Sequence, residues 1–310
     1  MGIVVIGAIF VDIKGFPEGA FIPSGRNAGR VEYIHGGVGR NVAEDVANCE
    51  LRPTFVSLVD KTGAGQDVIE KLKRHKVNTD YIRASDDGMG TWLAVFDDDG
   101  DVYASISKRP DMRGINDILD EQGDEIFANA DSVIIEIDLE KDTVKRVFKL
   151  AQKYNTKVFS VVSNMNIALE RRDFFRNVDC FICNKLEAGM LFSDDYTDYD
   201  AEQMQEELSR RVKQAAIPSM IVTMGGKGAV YATAEGESGW CPARNVAVCD
   251  TTGAGDAFAS GAAIGMTYGK TMAEACDIGS LLAASVIMTS DNVCPRFQPA
   301  ELGLNLEEGR

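Results

Sequence analysis

The feature of this chain best suited to chemistry is a carboxylate set in a run of small residues, Thr252-Gly253-Ala254-Gly255-Asp256. The apolar run Val246-Ala247-Val248 precedes it and the small-residue run 257–266 follows, which predicts a strand, a tight turn and a helix. Glycines on either side of Ala254 let the backbone bend and present successive N–H groups. At a helix N-terminus those groups and the helix dipole together favour an anion. An acid in such a cradle has a role if Asp256 takes a proton from a nucleophile while Gly253, Ala254 and Gly255 hold an incoming phosphoryl group. The plain alternative is an ordinary turn-to-helix joint with an N-terminal carboxylate. The chain carries its own control, because Thr62-Gly63-Ala64-Gly65 repeats the tetrapeptide but is followed by Gln66. That first copy reads as a bare helix start.

Four more stretches could contribute. Gly36-Gly37-Val38-Gly39-Arg40-Asn41 lets a ligand lie against backbone, with Asn41 facing it from a helix start. It lacks the last glycine of a dinucleotide fingerprint and does not directly follow the first strand. Asp12 lies just past the apolar run Ile3-Val4-Val5-Ile6, and ligands of open α/β sheets gather outside the carboxyl ends of strands. Asn184 and Glu187 are three residues apart after a run ending at Cys183, so a helical turn puts both on one side. The same spacing is that of a capping box. Thr223-Met224-Gly225-Gly226-Lys227-Gly228 ends another apolar run and lacks the spacing of a Walker loop.

Taken together, Asp250 to Phe258, the glycine stretch ending at Asn41, Asn184-Lys185-Leu186-Glu187 and Thr223 to Gly228 resemble, in order and spacing, the signatures of the PfkB (ribokinase-like) carbohydrate and nucleoside kinases. The resemblance spans nearly the whole chain. It implies an ATP-dependent kinase acting on a primary hydroxyl, with magnesium. Asn184, Thr223, Gly225 and Gly228 would then serve the nucleotide, with Glu187 reaching magnesium through water. Asp250 and the carbonyl of Thr252 match positions where relatives hold a monovalent cation such as potassium. Asp12, Gly37 and Asn41 match positions that bind sugar hydroxyls. A carboxylate accepts from two vicinal hydroxyls and an amide both donates and accepts, which suits a ribose-like ring.

The N-terminal part most resembles pseudouridine kinases, in residues 7–15, in Arg26-Asn27-Ala28-Gly29-Arg30 and in the glycine stretch. Those enzymes typically carry Ser-Asn-Pro-Gly-Lys, so Arg26 and Ala28 are departures. Asn27 could pair with the alternating edge of a uracil ring, which makes the 5′-hydroxyl of pseudouridine the expected acceptor. Uridine, adenosine, ribose and fructose are the competing acceptors. A non-catalytic ligand-sensing protein on the same fold is the competing class. Two further departures, Asp60-Lys61-Thr62 and Ser160-Val161-Val162-Ser163, fall where relatives often carry acids for the substrate.

Composition sets bounds. The chain has 310 residues, 45% hydrophobic and 26% charged, enough for a sizeable core. A net charge of −16 argues against nucleic-acid polymers, which require basic clusters. Seven cysteines without framework spacing point to reduced thiols and a cytoplasmic location. Cys180 and Cys183 form a CxxC, but in a strand that spacing puts the thiols on opposite faces. His35 and His75 are the only histidines, which excludes a multi-histidine metal site. No secretory leader or membrane span is expected, the apolar run 1–11 being short and ended by Asp12.

The elements that must position these residues follow from periodicity. Strands are expected at 31–34, 54–59, 91–96 and 102–106, the last two as a hairpin through Asp97-Asp98-Asp99-Gly100-Asp101. Helices are expected at 40–49 and 67–75. From 133 onward strands (133–137, 157–162, 178–183, 219–223) alternate with helices (142–154, 200–215). A short antiparallel excursion runs from Val230 through Trp240, and helices at 257–268 and 272–288 close the chain. Alternating strands and helices mean right-handed crossovers and a parallel sheet covered on both faces. The fold class expected is therefore α/β, a doubly wound ribokinase-like sandwich. The chain reads as a single domain over 1–310. By resemblance, segments at about 12–35 and 88–108 add a small β lid over the sugar site, often a dimer surface, so a homodimer is expected.

Overall fold

A computed structural model describes residues 2–97 and 102–304. In chain order the first half contains β1 (Ile3–Ile6), β2 (Phe10–Pro17), β3 (Gly29–Gly36), α1 (Val38–Asn48), β4 (Thr54–Asp60), α2 (Gly63–Arg74), β5 (Ile82–Ser85), β6 (Gly90–Phe96) and β7 (Val102–Lys108). Next come α3 (Ile115–Ala128), β8 (Ser132–Glu136), α4 (Lys141–Tyr154), β9 (Lys157–Val161), α5 (Met165–Leu169), β10 (Cys180–Asn184) and α6 (Lys185–Phe192). The chain continues with α7 (Ala201–Ala215), β11 (Ser219–Thr223), β12 (Ala229–Thr233), β13 (Ser238–Cys241), α8 (Ala254–Thr267) and α9 (Met272–Ile287).

The main sheet has the order β13-β12-β11-β10-β9-β8-β1-β4-β5. From β11 to β5 every neighbouring pair is parallel, and β12 and β13 close one edge antiparallel. Its strands read as continuous apolar runs because both faces are covered. In β1, Val4 and Ile6 point into one core layer while Ile3 and Val5 point into the other. Helices α3, α4, α6 and α7 pack over the first layer, and α1, α2, α8 and α9 over the second. The thiols of Cys180 and Cys183 fall in opposite layers, as a strand dictates for an i, i+3 pair.

A second sheet has the order β3-β2-β6-β7. It is built from the two segments expected to form a lid. Its outer residues are left in solvent, Tyr33 being 70% exposed and Ile106 69%. Phe10, Asp12, Lys14 and Phe16 alternate along β2 and line a cleft beneath it.

Several expected elements differ. Val246-Ala247-Val248 is not a strand: the chain leaves the sheet edge at Cys241, no backbone pairs with those residues, and Val248 is 69% exposed. Instead Cys249 and Asp250 donate their N–H groups to the Ile287 carbonyl, anchoring the segment to the end of α9. Helix α2 starts at Gly63 rather than 67, because Thr62 caps it. Strand β3 is twice the expected length, and residues 10–17 extend along it in register as β2, although the glycines and prolines of 14–29 read as loop. Helix α3 and strand β5 were not anticipated, although Ile115, Ile118, Leu119 and Ile126 keep a helical period. Most of the acidic hairpin turn, 98–101, lies outside the described residues. Among the described residues no helix is long and apolar enough to cross a membrane.

Candidate active site

Two hollows meet at the N-terminus of α8. One is a cleft of about 750 Å³ under the second sheet, lined by Asp12, Lys14, Gly37 and Asn41, by Arg109, Ser163 and Asn164, and by Asp250, Thr252, Gly253 and Asp256. Phe10, Phe16, Trp92 and Phe96 give it an aromatic wall, with Phe16 stacked on Phe96 at 4.5 Å and Trp92 edge-on at 6.4 Å. The other is an apolar slot of about 140 Å³ between Thr223, Gly225 and Gly228 on one side and Ala254, Gly255, Phe258, Ala283, Ala284 and Ile287 on the other. A groove bordered by Asn184, Thr223, Met224 and Gly225 continues from it.

Local geometry explains why the signature turn is open. Gly253 is left-handed, with φ 82°, and a Cβ there would lie 2.1 Å from the Asn292 carbonyl oxygen, so the position requires glycine. Helix α8 begins at Ala254 with no side-chain cap. Ala254 and Ala257 donate to the carbonyls of Thr251 and Gly253, and among the described residues the N–H groups of Gly255 and Asp256 have no partner. This corrects the donor set: Ala254 is already bonded, and Gly255 and Asp256 face outward in its place. A Cβ on Gly255 would meet nothing within 4 Å, so there is room for an anion beside those donors.

Asp256 sits where the two hollows join. Asn41 Nδ2, from the first turn of α1, donates to its Oδ2 at 2.6 Å. Burial pushes the Asp256 carboxyl up to about 6, while the Asn41 hydrogen bond and the charge of Arg40 pull it down. A carboxylate poised near neutrality is matched to general-base work. Asn41 itself is buried and lines the cleft, and its Oδ1 has no hydrogen-bond partner among the described residues. Among the described residues none donates a hydrogen bond to the Asp12 carboxylate. Burial raises its pKa, against the opposing charges of Lys14 and Arg40. Gly37 (φ 95°) opens α1 beside them.

On the nucleotide side Asn184 and Glu187 do form the capping box: Glu187 N–H donates to Asn184 Oδ1 at 2.9 Å and Asn184 N–H to Glu187 Oε2 at 2.8 Å. Burial raises the Glu187 pKa, and the nearby charges of Asp256 and Asp138 raise it further. One Glu187 oxygen thus remains for a cation in an acidic neighbourhood. Among the described residues no three His, Cys, Asp or Glu side chains group closely enough to hold a metal by themselves. The donor set therefore fits a magnesium ion bound chiefly through phosphates and water. Asp250 Oδ1 accepts from Thr252 N–H at 2.8 Å. Burial raises Asp250, but that bond and the charge of Lys14 outweigh it and leave the carboxyl below its usual range. The Thr223 hydroxyl turns back to the Cys183 carbonyl at 3.4 Å. Asn27 is not brought to the cleft: its amide closes its own loop on the Ile22 backbone, at 2.8 and 3.1 Å.

The pfkB family carbohydrate kinase model matches residues 2–293. The chain belongs to that family. Members transfer a phosphoryl group to an alcohol. Within it, the chain is 34% identical over 293 residues to a guanosine-inosine kinase of Exiguobacterium acetylicum, covering 94% of this chain and 95% of that one. It is 24% identical to a pseudouridine kinase of Escherichia coli over 276 residues, covering 88% and 86%. Its fold matches the Arabidopsis thaliana ribokinase solved with ribose and ATP, with a TM-score of 0.83 at 21% identity over 97% of this chain and 98% of that one.

Sequence reading of this pfkB kinase missed Lys14, Arg109, Asp138 and the aromatic wall. The period-two alternation Phe10, Asp12, Lys14, Phe16 was the available signal for β2. Asp138, fully buried, accepts from Arg109 Nη1 at 2.8 Å, from Ser163 N–H and Oγ–H at 3.0 and 2.7 Å, and from Asn164 N–H at 3.1 Å. One carboxylate thereby fixes one whole side of the cleft, joining residues 25 and more positions apart that no local pattern relates.

Proposed function

We propose that this chain is an ATP-dependent nucleoside kinase that phosphorylates the 5′-hydroxyl of a ribonucleoside, inosine or guanosine first. The observation that carries the reading is Asn41. Its amide nitrogen holds Asp256 at the floor of the acceptor cleft that both residues line, and its buried oxygen has no partner among the described residues. In this reading Asp12 accepts from the ribose hydroxyls, and Asp256 takes the 5′-hydroxyl proton as the new O–P bond forms. The bond from the γ-phosphorus to the bridging oxygen breaks, and ADP leaves. Free N–H groups at the start of α8 hold the moving phosphoryl group, and the apolar slot beside Phe258 and Ile287 takes the ATP base. Magnesium, reached by Glu187 through water, would neutralise polyphosphate charge; Asp250 and the Thr252 carbonyl are the proposed potassium ligands.

A wall of four aromatic rings suits a planar base better than a free sugar. The 34% relative favours a purine. Pseudouridine ranks second, supported by the N-terminal resemblance but deprived of Asn27 as a base contact. The exposed face of the second sheet supports the lid as a homodimer surface, to be checked by sedimentation. Initial rates with inosine, guanosine, pseudouridine, uridine, adenosine, ribose and fructose decide the acceptor. A larger kcat/KM for ribose or fructose than for every nucleoside would overturn the nucleoside reading and leave the kinase reading standing.

A further inference from the structure

Lys14 has no use in the scheme above, yet it is only 8% exposed, lines the acceptor cleft, and among the described residues makes no hydrogen bond or close ion pair. A buried ammonium whose N–H groups meet no acceptor loses hydration without recovering hydrogen bonds, and a ligand that brings an acceptor repays that loss. Arg109, the other cation of the cleft, is already engaged, donating to the Asp138 carboxylate and to its main-chain carbonyl.

The strand fixes where such an acceptor must lie. Asp12, Lys14 and Phe16 share the cleft-facing side of β2, so Lys14 stands one two-residue step, about 7 Å, beyond the carboxylate assigned to the ribose. It precedes the stacked pair Phe16 and Phe96. That is the span from a ribose ring to its base. Charge points the same way. Lys14 lies within electrostatic reach of both Asp12 and Asp250, so the neighbourhood is already net negative and a neutral carbonyl suits it better than another anion.

We infer that Lys14 is the specificity-determining residue of the acceptor cleft, donating to the 6-oxygen of a purine base and selecting 6-oxopurine over 6-aminopurine nucleosides. This rests on the nucleoside-kinase reading. An ammonium can only donate; the amino group of adenine at the same place also donates, so the pair repels and both groups lose hydration.

The test compares kcat/KM for inosine, adenosine and purine riboside, which has hydrogen in place of the 6-oxygen, in the wild type and in Lys14→Met and Lys14→Arg. Lys14→Met keeps the buried stem and should lower the inosine-to-adenosine ratio about 10–100-fold. Purine riboside should be insensitive to the change relative to inosine, and Lys14→Arg should keep the wild-type order of preference. An unchanged ratio overturns the inference, as does an equal loss on all three nucleosides, which would mean a sugar contact or a purely structural lysine. A wild type that phosphorylates nucleosides without preferring inosine also overturns it while sparing the nucleoside-kinase reading. A wild type inactive on every nucleoside removes the nucleoside-kinase reading and this inference with it. Thermal unfolding of each variant separates misfolding from lost recognition.

Discussion

The same tetrapeptide, Thr-Gly-Ala-Gly, opens α2 and α8, and the two copies behave differently. At the first, Thr62 is the cap, its hydroxyl accepting from Ala64 N–H at 3.2 Å, while Asp60 Oδ1 accepts from the Thr62 N–H and hydroxyl at 3.0 and 2.5 Å. The turn satisfies itself. At the second, the cap moves one residue on to a left-handed Gly253, no side chain closes the helix, and donors are left facing a cleft. The surroundings differ as well: a Cβ on Gly253 would collide with the Asn292 backbone, whereas a Cβ on Gly63 would meet nothing within 4 Å. In the proposed reading an anion cradle is made by withholding a cap, and the following residue, Gln66 or Asp256, decides whether a base accompanies it.

The largest effect should come from exchanging that residue. Asp256→Asn should lower kcat by about 10²–10⁴-fold, the usual worth of a general base. The variant should also be more stable at pH 7. The native carboxyl is raised from 3.8 to about 6, so above pH 6 the folded state holds a charge it binds poorly. Removing it should gain about 1–2 kcal/mol, discounted because the group partly faces the cleft. That gain should vanish below about pH 4, where the carboxyl is protonated folded and unfolded alike. Adding Gln66→Asp, which completes the motif at the wrong turn, should restore no activity. Near-normal turnover in folded Asp256→Asn would remove the base assignment.

Next in size is the backbone. Gly253→Ala should cost about 2–4 kcal/mol from a positive φ and a collision with a carbonyl, with activity lost in step. Gly63→Ala should be neutral or stabilising by up to about 1 kcal/mol. Denaturant unfolding of both variants measures the contrast, and equal effects would refute it.

A smaller shift concerns pH. If Asp256 is the base it must be ionised, so kcat/KM should fall as pH drops through about 6. Asn41→Ala removes the bond that favours the ionised form and should move this limb upward by about one unit or more. A limb that stays in place, read from a pH–rate profile, would show that another group controls it.

The smallest change belongs to the inert copy. Thr62→Ala should lower stability by about 1 kcal/mol through the lost cap and leave kcat and KM within twofold. A marked rate effect would mean that the first turn, too, serves the reaction.

Much of this was legible in sequence. Fully apolar runs separated by helical periods gave the parallel sheet, since a strand buried on both faces must be apolar throughout. TGAGD, the glycines before Asn41 and Asn184 with Glu187 were legible because a turn or a cap is a local event. The strand supposed at 246–248 failed because three apolar residues need a neighbouring backbone, and the sheet offers none beyond Cys241. Asn27 failed because an amide can be consumed by its own loop, and sequence does not show whether it is.

By itself, then, the sequence determined the layers, most of the strands and helices of the main sheet, and the residue types proposed to hold a phosphoryl group and take a proton. Only the tertiary structure decided which copy of the tetrapeptide stays uncapped, that Asn41 meets Asp256 across 215 positions, that Asp138 gathers Arg109, Ser163 and Asn164, and that Lys14 is buried in the cleft with no hydrogen bond among the described residues. Periodicity and turn chemistry act between residues a few positions apart and are written in their order. Desolvation and hydrogen bonding across the cleft depend on which distant segments share a neighbourhood, and that exists only once the chain has packed.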